Sequence, residues 1–308
     1  MNAGIICEMI SKSLISFRAA ASLALLWLGL AACGKGAGTP PATLSSPRTP
    51  PASTATPTSF QPSATPAPLV AKVNGDEITR PDYEAELARY QASVGTVLAP
   101  DDKQLVLNDM IDELLLAQGA AEAGFTPDDS VVQDHISRLG SEQDLNQWIA
   151  SHGYTQESFR RDLAQSIAAA WMRDQIIAKV PETADQVHAR QILLYNSDQA
   201  TAALNQLRSG ADFADLAAQY DPVTKGDLGW FPRGYLLEPE LEQAAFNLQP
   251  DETSDVIKTD TGYHILQVIE RDPQHPLTPD ARRVLQSKAL QNWLEQRRNQ
   301  SEIQVLLP

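Results

Sequence analysis

Three short blocks decide the fold of the C-terminal half: Lys225-Gly226-Asp227-Leu228-Gly229-Trp230-Phe231-Pro232-Arg233-Gly234, then Leu241-Glu242-Gln243-Ala244-Ala245-Phe246, then Thr259-Asp260-Thr261-Gly262-Tyr263-His264-Ile265. The first reads as a glycine-punctuated strand. The second lies on a helix opened by Pro239, a residue suited to a first helical turn. The third reads as a turn between two strands, Ser254 to Thr259 and Tyr263 to Ile269. Upstream, Val187 to Leu194 (VHARQILL) has a strand pattern. Ala200 to Leu207 and Phe213 to Tyr220 have helical spacing, with Gly210 as a breaker between them. An α+β unit over residues 182–273 is expected.

The string GDLGWF…RG…LEQAAF…TDTGYHI closely resembles the parvulin family of peptidyl-prolyl cis/trans isomerases, with the blocks in the family's order. The resemblance implies a β-α-α-α-β-α-β-β domain, a four-stranded antiparallel sheet with surrounding helices. It also implies catalysis of rotation about Xaa-Pro bonds. That rotation faces an amide-resonance barrier of about 18–20 kcal/mol. It breaks no covalent bond, so neither a metal nor any other cofactor is expected. An apolar slot for the proline ring and a polar network facing the twisted amide are what such a reaction needs. By the resemblance, Leu236, Leu241 and Phe246 fall at or beside the proline-pocket positions. His264 matches one of two central histidines, and Thr259 and Thr261 match supporting hydroxyl positions.

Two departures bear on activity. Gln191, in Ala189-Arg190-Gln191-Ile192-Leu193, stands where the family usually has its other histidine. Glutamine still donates and accepts hydrogen bonds, but it does not titrate. His188 is three residues away on a strand and so points to the opposite face. The loop Tyr220 to Gly226 is a few residues shorter than usual, and Asp221 is aligned with the family's Cys or Asp; an Asp-Pro turn is the other reading of it. One residue is also inserted between Gly234 and Phe246. Phosphate-directed relatives carry a basic cluster after the first strand. Here that stretch is Tyr195-Asn196-Ser197-Asp198, without Lys or Arg, which argues against a phosphoprotein substrate.

Before this unit, residues 69–181 read as a helical module. Leu69 to Val73 and Ile78 to Thr79 flank Asn74-Gly75, a strong hairpin signal. Helices are expected from Thr79, Asp101 or Asp102, Thr126-Pro127, Ser141 and Thr155, the last stopped by Pro181, with apolar spacings of three and four. VNGDEITRPDYEAEL resembles the start of the N-terminal domain of SurA- and PrsA-type extracytoplasmic foldases. That family's C-terminal tail returns to the module. Here it would be a helix from Pro279 to Arg298 followed by Ile303 to Leu306, which should pair with Val70 to Val73 because a two-stranded hairpin is marginal alone. Segment 274–308 is therefore expected to complete 69–181. His135 and His152 are read as structural rather than metal-ligating, His135 on an apolar stripe and His152 before a helix-terminating glycine.

At the other end, Lys12 and Arg18 precede the apolar run Ala19 to Leu30, too short to span a bilayer comfortably but suited to a signal-peptide core. Leu30-Ala31-Ala32-Cys33 resembles the lipobox of bacterial lipoproteins. This implies a leader over 1–32 and lipidation of Cys33; a plain signal peptide is the alternative, and Met9 is an alternative start. Residues 33–68, rich in Pro, Ser, Thr and Ala, cannot bury enough apolar surface to fold and read as a tether. Extended, it reaches on the order of 100 Å. The only other cysteine is Cys7, so no disulfide or thiol chemistry belongs to the folded part. A net charge of −15 argues against a nucleic-acid partner.

The expected protein is an extracytoplasmic, lipid-anchored foldase. Its partners are unfolded or partly folded exported polypeptides containing Xaa-Pro bonds, and a membrane reached through Cys33. A parvulin-fold holdase with weak or no catalysis is the alternative. A transport-type ligand-binding lipoprotein finds no support, since nothing suggests two α/β lobes.

Overall fold

The computed structural model describes residues 67–307; the expected leader, Cys33 and the tether lie outside them. Strands β1 (Leu69–Val73) and β2 (Asp76–Thr79) form the expected antiparallel hairpin. Asn74 and Gly75 take the positive φ values, 52° and 95°, that such a turn requires. Helix α1 (Arg80–Val94) follows, its first turn capped by the Thr79 hydroxyl, which accepts from Asp82 N–H at 3.3 Å. Next come α2 (Pro100–Glu122), α3 (Asp129–Arg138), α4 (Glu142–Ser151) and α5 (Gln156–Ala178). Ser141 and Thr155 cap α4 and α5 as the sequence suggests. Two starts differ. Asp128 rather than Thr126 caps α3, because its carboxylate reaches Ser130 N–H and Val131 N–H. α2 opens at Pro100, with Asp102 accepting from Ala99 N–H.

The second unit runs β3 (Thr183–Leu194), α6 (Ser197–Arg208), α7 (Phe213–Tyr220), β4 (Asp227–Pro232), α8 (Pro239–Asn247), β5 (Ile257–Lys258) and β6 (Tyr263–Pro276). Its four antiparallel strands are ordered β4-β3-β6-β5. Opposite faces of the sheet carry separate apolar clusters. Ile192, Leu194 and Ile265 pack with α6 and α7, while Val187, Ala189, Leu266 and Val268 pack with Phe231 and α8. This is the period-two logic of a sheet buried on both faces. Two helices rather than three separate β3 from β4. A tight turn over Asp221–Gly226 stands where the family's third helix would be, in line with the shortened loop. β5 is only two residues long, shorter than the strand expected from Ser254, because the Ser254 hydroxyl rather than a backbone carbonyl accepts the Leu266 N–H at 2.9 Å and interrupts the ladder.

β3 and β6 also run further than the sequence pattern suggests, pairing as far as Thr183–Pro276. This ribbon carries the chain into the sheet domain and back out. Helix α9 (Pro279–Gln300) and β7 (Ile303–Val305) then return to the helical module. β7 pairs with β1, placing Ala71 opposite Val305 and Val73 opposite Ile303, so the hairpin becomes a three-stranded sheet. Arg298 on α9 donates to Asp112 Oδ1 at 2.6 Å, and Leu290 packs with Met172 and Ile176 of α5.

Candidate functional site

Gln191 on β3 and His264 on β6 occupy diagonal positions of one strand pair: Leu193 is opposite His264, and Gln191 is opposite Leu266. Diagonal neighbours on one face lie within reach of long side chains. His264 Nδ1 stands 2.9 Å from Gln191 Oε1. Since a carboxamide oxygen only accepts, Nδ1 carries the proton. Nε2 is then the acceptor, 2.9 Å from the Thr259 hydroxyl and 3.1 Å from that of Thr261. The two hydroxyls are 2.9 Å apart. The turn is closed by Thr259 N–H donating to Gly262 O at 2.9 Å. His264 is 3% exposed. Burial pushes its pKa below the ordinary histidine value, against a smaller opposing pull from Glu238. The ring is therefore neutral at neutral pH, a fixed relay of hydrogen bonds rather than a charge.

Asp221 is not hydrogen-bonded to this network. Its carboxylate accepts from Val223 N–H and Thr224 N–H, each at 3.1 Å, and from the Thr224 hydroxyl. The Thr224 hydroxyl, followed by those two backbone N–H groups, holds its pKa below the usual carboxylate value. The connection to the site runs through the backbone. Gly226 N–H donates to Thr224 Oγ1 at 3.2 Å, and Gly226 O accepts from Gln191 N–H at 2.8 Å. A Cβ on Gly226 would come within 1.8 Å of Gln191 O, so only glycine permits this approach.

Leu241 and Phe246, both on α8, share one apolar cluster with half-buried Leu236. Leu236 is the more accessible; Leu241 and Phe246 are 6% and 3% exposed. Phe246 meets Phe231 edge-on with ring centres 6.1 Å apart, and the Arg233 guanidinium covers it at 4.0 Å. Phe246 thus sits behind the slot rather than on its open wall.

Three residues escaped the sequence reading. Leu228 is half-buried against the same cluster as Leu236. The register jumps from Ala189–Gly229 to Arg190–Asp227, leaving Leu228 as a β-bulge with Gly229 at φ 67°. The bulge turns Leu228 toward the side of Phe231 against simple strand alternation. Ile257, directly opposite His264, is the second. Glu242 is the third: its carboxylate accepts from Gly234 N–H at 2.7 Å, Tyr235 N–H at 3.0 Å and Leu236 N–H at 3.3 Å. It fixes the loop that presents Leu236. Its place in the quoted LEQAAF block was the available signal.

His188 faces away from the network, as expected, bonded to Asp227 Oδ1 at 2.8 Å and lying near Trp230. His135 and His152 bond to backbone carbonyls of their own helices.

Comparison with known proteins supplies relatives for both units. The model of the PPIC-type PPIase domain (rotamase) matches residues 176–270, and that of the SurA-like N-terminal domain matches residues 54–173. The foldase protein PrsA of Caldanaerobacter subterraneus subsp. tengcongensis is 30% identical over 230 residues, 65% of this chain and 72% of that protein. The chaperone SurA of Methylobacillus flagellatus is 28% identical over 66% of this chain and 56% of its own length. Three further PrsA foldases are matched over 58%, 45% and 62% of their lengths, so the chain spans about half to three fifths of them. A crystal structure of peptidylprolyl isomerase PrsA from Bacillus cereus is 22% identical, with a TM-score of 0.43 over 76% of this chain and 90% of that one.

Proposed function

The chain belongs to the PrsA foldase family, and on that premise we propose that it catalyses cis/trans isomerisation of Xaa-Pro bonds in exported polypeptides. The observation that carries the reading is the chain of hydrogen bonds Gln191–His264–Thr259/Thr261 beside the cluster containing Leu228, Leu236 and Leu241. A planar amide owes its barrier to charge-separated resonance. An apolar slot that takes the proline ring favours the twisted, less polar amide, and fixed donors at its edge orient it without reorganising. One of the two threonine hydroxyls donates to His264 Nε2 and leaves the other as the donor at that edge, Gln191 holds the His264 ring, and Asp221 acts by shaping the loop that meets Gln191. The test is an Xaa-Pro peptide isomerisation assay on the purified protein and on His264→Ala. Exchange accelerated by the former and not by the latter supports the reading; equal rates overturn it.

Gln191 and the short 220–226 turn favour a second reading, a holdase that uses the sheet domain as a peptide platform. It predicts suppressed aggregation of an unfolded client with no dependence on proline.

We further infer the division 1–32 leader, 33–68 tether, 69–181 with 274–308 helical module and 182–273 isomerase domain, with Cys33 as the lipid anchor on an extracytoplasmic membrane face. The motif at Leu30–Cys33 supports the anchor. Among the described residues no helix is long and apolar enough to cross a membrane. Loss of labelled fatty acid from a Cys33→Ser variant is the expected outcome.

A further inference from the structure

A cavity of about 1010 Å³ lies inside the helical module, lined from β2 and from helices α1 to α5 and by none of the residues around His264. One wall is aromatic. Trp148, Tyr154 and Phe159 pack together with ring centres 5.8 to 6.1 Å apart, and Phe125 stacks on Trp171 at 4.8 Å. The rest is acidic: eight carboxylate residues line the cavity against three arginines. Those arginines are already engaged, Arg89 with Glu86, Arg161 with Asp82 and Asp162, and Arg138 with Asp134.

Among the described residues three of these acids make no ion pair, Asp76, Asp109 and Glu113 on α2. The Glu113 carboxylate accepts from the Ser166 hydroxyl at 2.5 Å. Two further wall residues carry a buried donor without an acceptor, Arg89 Nη1 and Trp148 Nε1. Desolvating a carboxylate without an ion pair is costly, and a cation brought beside it offsets that cost.

We propose that this cleft holds an extended segment of non-native polypeptide by one basic side chain, an arginine or lysine that pairs with Glu113 while neighbouring apolar residues lie against the half-buried aromatic residues of the lining, Phe125, Tyr154 and Trp171. The inference rests on the reading of the chain as a foldase and adds the chemistry of the segment it selects. Charge complementarity fixes the occupant. The acidic lining attracts a cation and repels an acidic segment. The aliphatic stem of Lys or Arg lies well on aromatic faces.

The grip is pH-dependent. Burial pushes the Glu113 pKa up to about 7; the Ser166 hydroxyl opposes this, Glu86 and Asp162 add to it, and Arg89 opposes it. The other titratable groups on the lining are Tyr154, kept neutral by burial, Tyr90, His135 of α3, the carboxylates of Asp76, Glu77, Asp82 and Asp174, and the more exposed Asp109 of α2, whose pKa is pushed up to about 6 by burial and by Asp112 and Glu86, against Arg298. A cation needs the ionised carboxylate, so binding strengthens as pH rises through about 7.

The test uses the full chain and two labelled, proline-free peptides of matched apolar content, one carrying arginines and the other glutamates at the same positions. The arginine peptide should bind at least about tenfold more tightly near pH 8, and this preference should shrink near pH 5.5. Glu113→Gln, a near-isosteric change, should remove most of it while leaving Xaa-Pro isomerisation unchanged. Equal binding of both peptides, or a preference that survives in Glu113→Gln, overturns the proposal. So does a concentration-dependent dimer that Glu113→Lys dissolves, since it assigns the cleft to a second copy of the chain. Isomerisation is measured separately, so loss of that activity in the parent protein would reject the enzyme reading and leave this one standing.

Discussion

His264 Nδ1 lies 2.9 Å from Gln191 Oε1 across two strands whose residues are 73 positions apart in the chain. A non-titrating amide therefore holds the ring in place. Replacing it tests whether only geometry is required. Gln191→His should preserve or raise kcat/KM, and Gln191→Ala should lower it about tenfold by freeing the ring. Equal rates in all three proteins would detach Gln191 from catalysis.

The pH profile follows from burial of His264. Its folded pKa is lowered, so the unfolded chain binds the proton more readily, and the stability contributed by the neutral ring is lost as pH falls below about 6.5. Isomerase activity should stay flat from about pH 8 to about 6.5 and decline only on the acid side. In Gln191→Glu the carboxylate faces Nδ1–H and favours the imidazolium, so the decline should move upward. Activity measured across this range in both proteins checks the sign.

Glu242 gathers the N–H groups of Gly234, Tyr235 and Leu236 on one carboxylate. Glu242→Ala should release the loop bearing Leu236 and raise KM by about three- to tenfold, with kcat less affected. Glu242→Gln, keeping one accepting oxygen, should recover part of the loss. A purely structural residue would lower the denaturation midpoint in both variants and leave KM unchanged.

Gly226→Ala places a methyl group 1.8 Å from Gln191 O at a φ of 73°. The backbone must move, at a cost on the order of 2–4 kcal/mol in urea denaturation. Activity should fall with it, because the same movement displaces Gln191.

Asn74 joins the beginning of the folded chain to its end. Its side chain donates to Gln118 Oε1 at 2.8 Å and Ser301 Oγ at 3.0 Å, and accepts from Glu302 N–H at 2.9 Å. With φ at 52°, Asn74→Gly should cost less than Asn74→Ala, which loses both the bonds and the tolerance of this backbone, about 1–2 kcal/mol in all. Thermal denaturation of the two variants gives the order.

Much of this was legible in the residues. The caps Thr79, Ser141 and Thr155 and the Asn-Gly turn follow from local rules, because side chain and backbone partner lie within a few residues, whereas the returning strand Ile303–Val305 was expected from the foldase resemblance and from a hairpin that is marginal without a third strand. The pairing of Gln191 with His264 was a question the sequence posed and the fold answered. Leu228 was illegible because a bulge reverses strand alternation. Phe246 drew attention as an aromatic beside the pocket, yet Phe231 and Arg233 cover it.

The sequence by itself determined the two kinds of unit and the order of most of their elements, since these depend on periodicity, turn chemistry and residue type; the hydroxyls of Thr259 and Thr261 were placed near His264 through the family resemblance. Only the tertiary structure decided which side chains meet. Register across β3 and β6 set Gln191 against His264, the Glu242 carboxylate found three N–H groups on a preceding loop, and packing of the helices left Glu113 without an ion pair. Contacts between residues far apart in the chain depend on how whole elements pack, and no local rule encodes that.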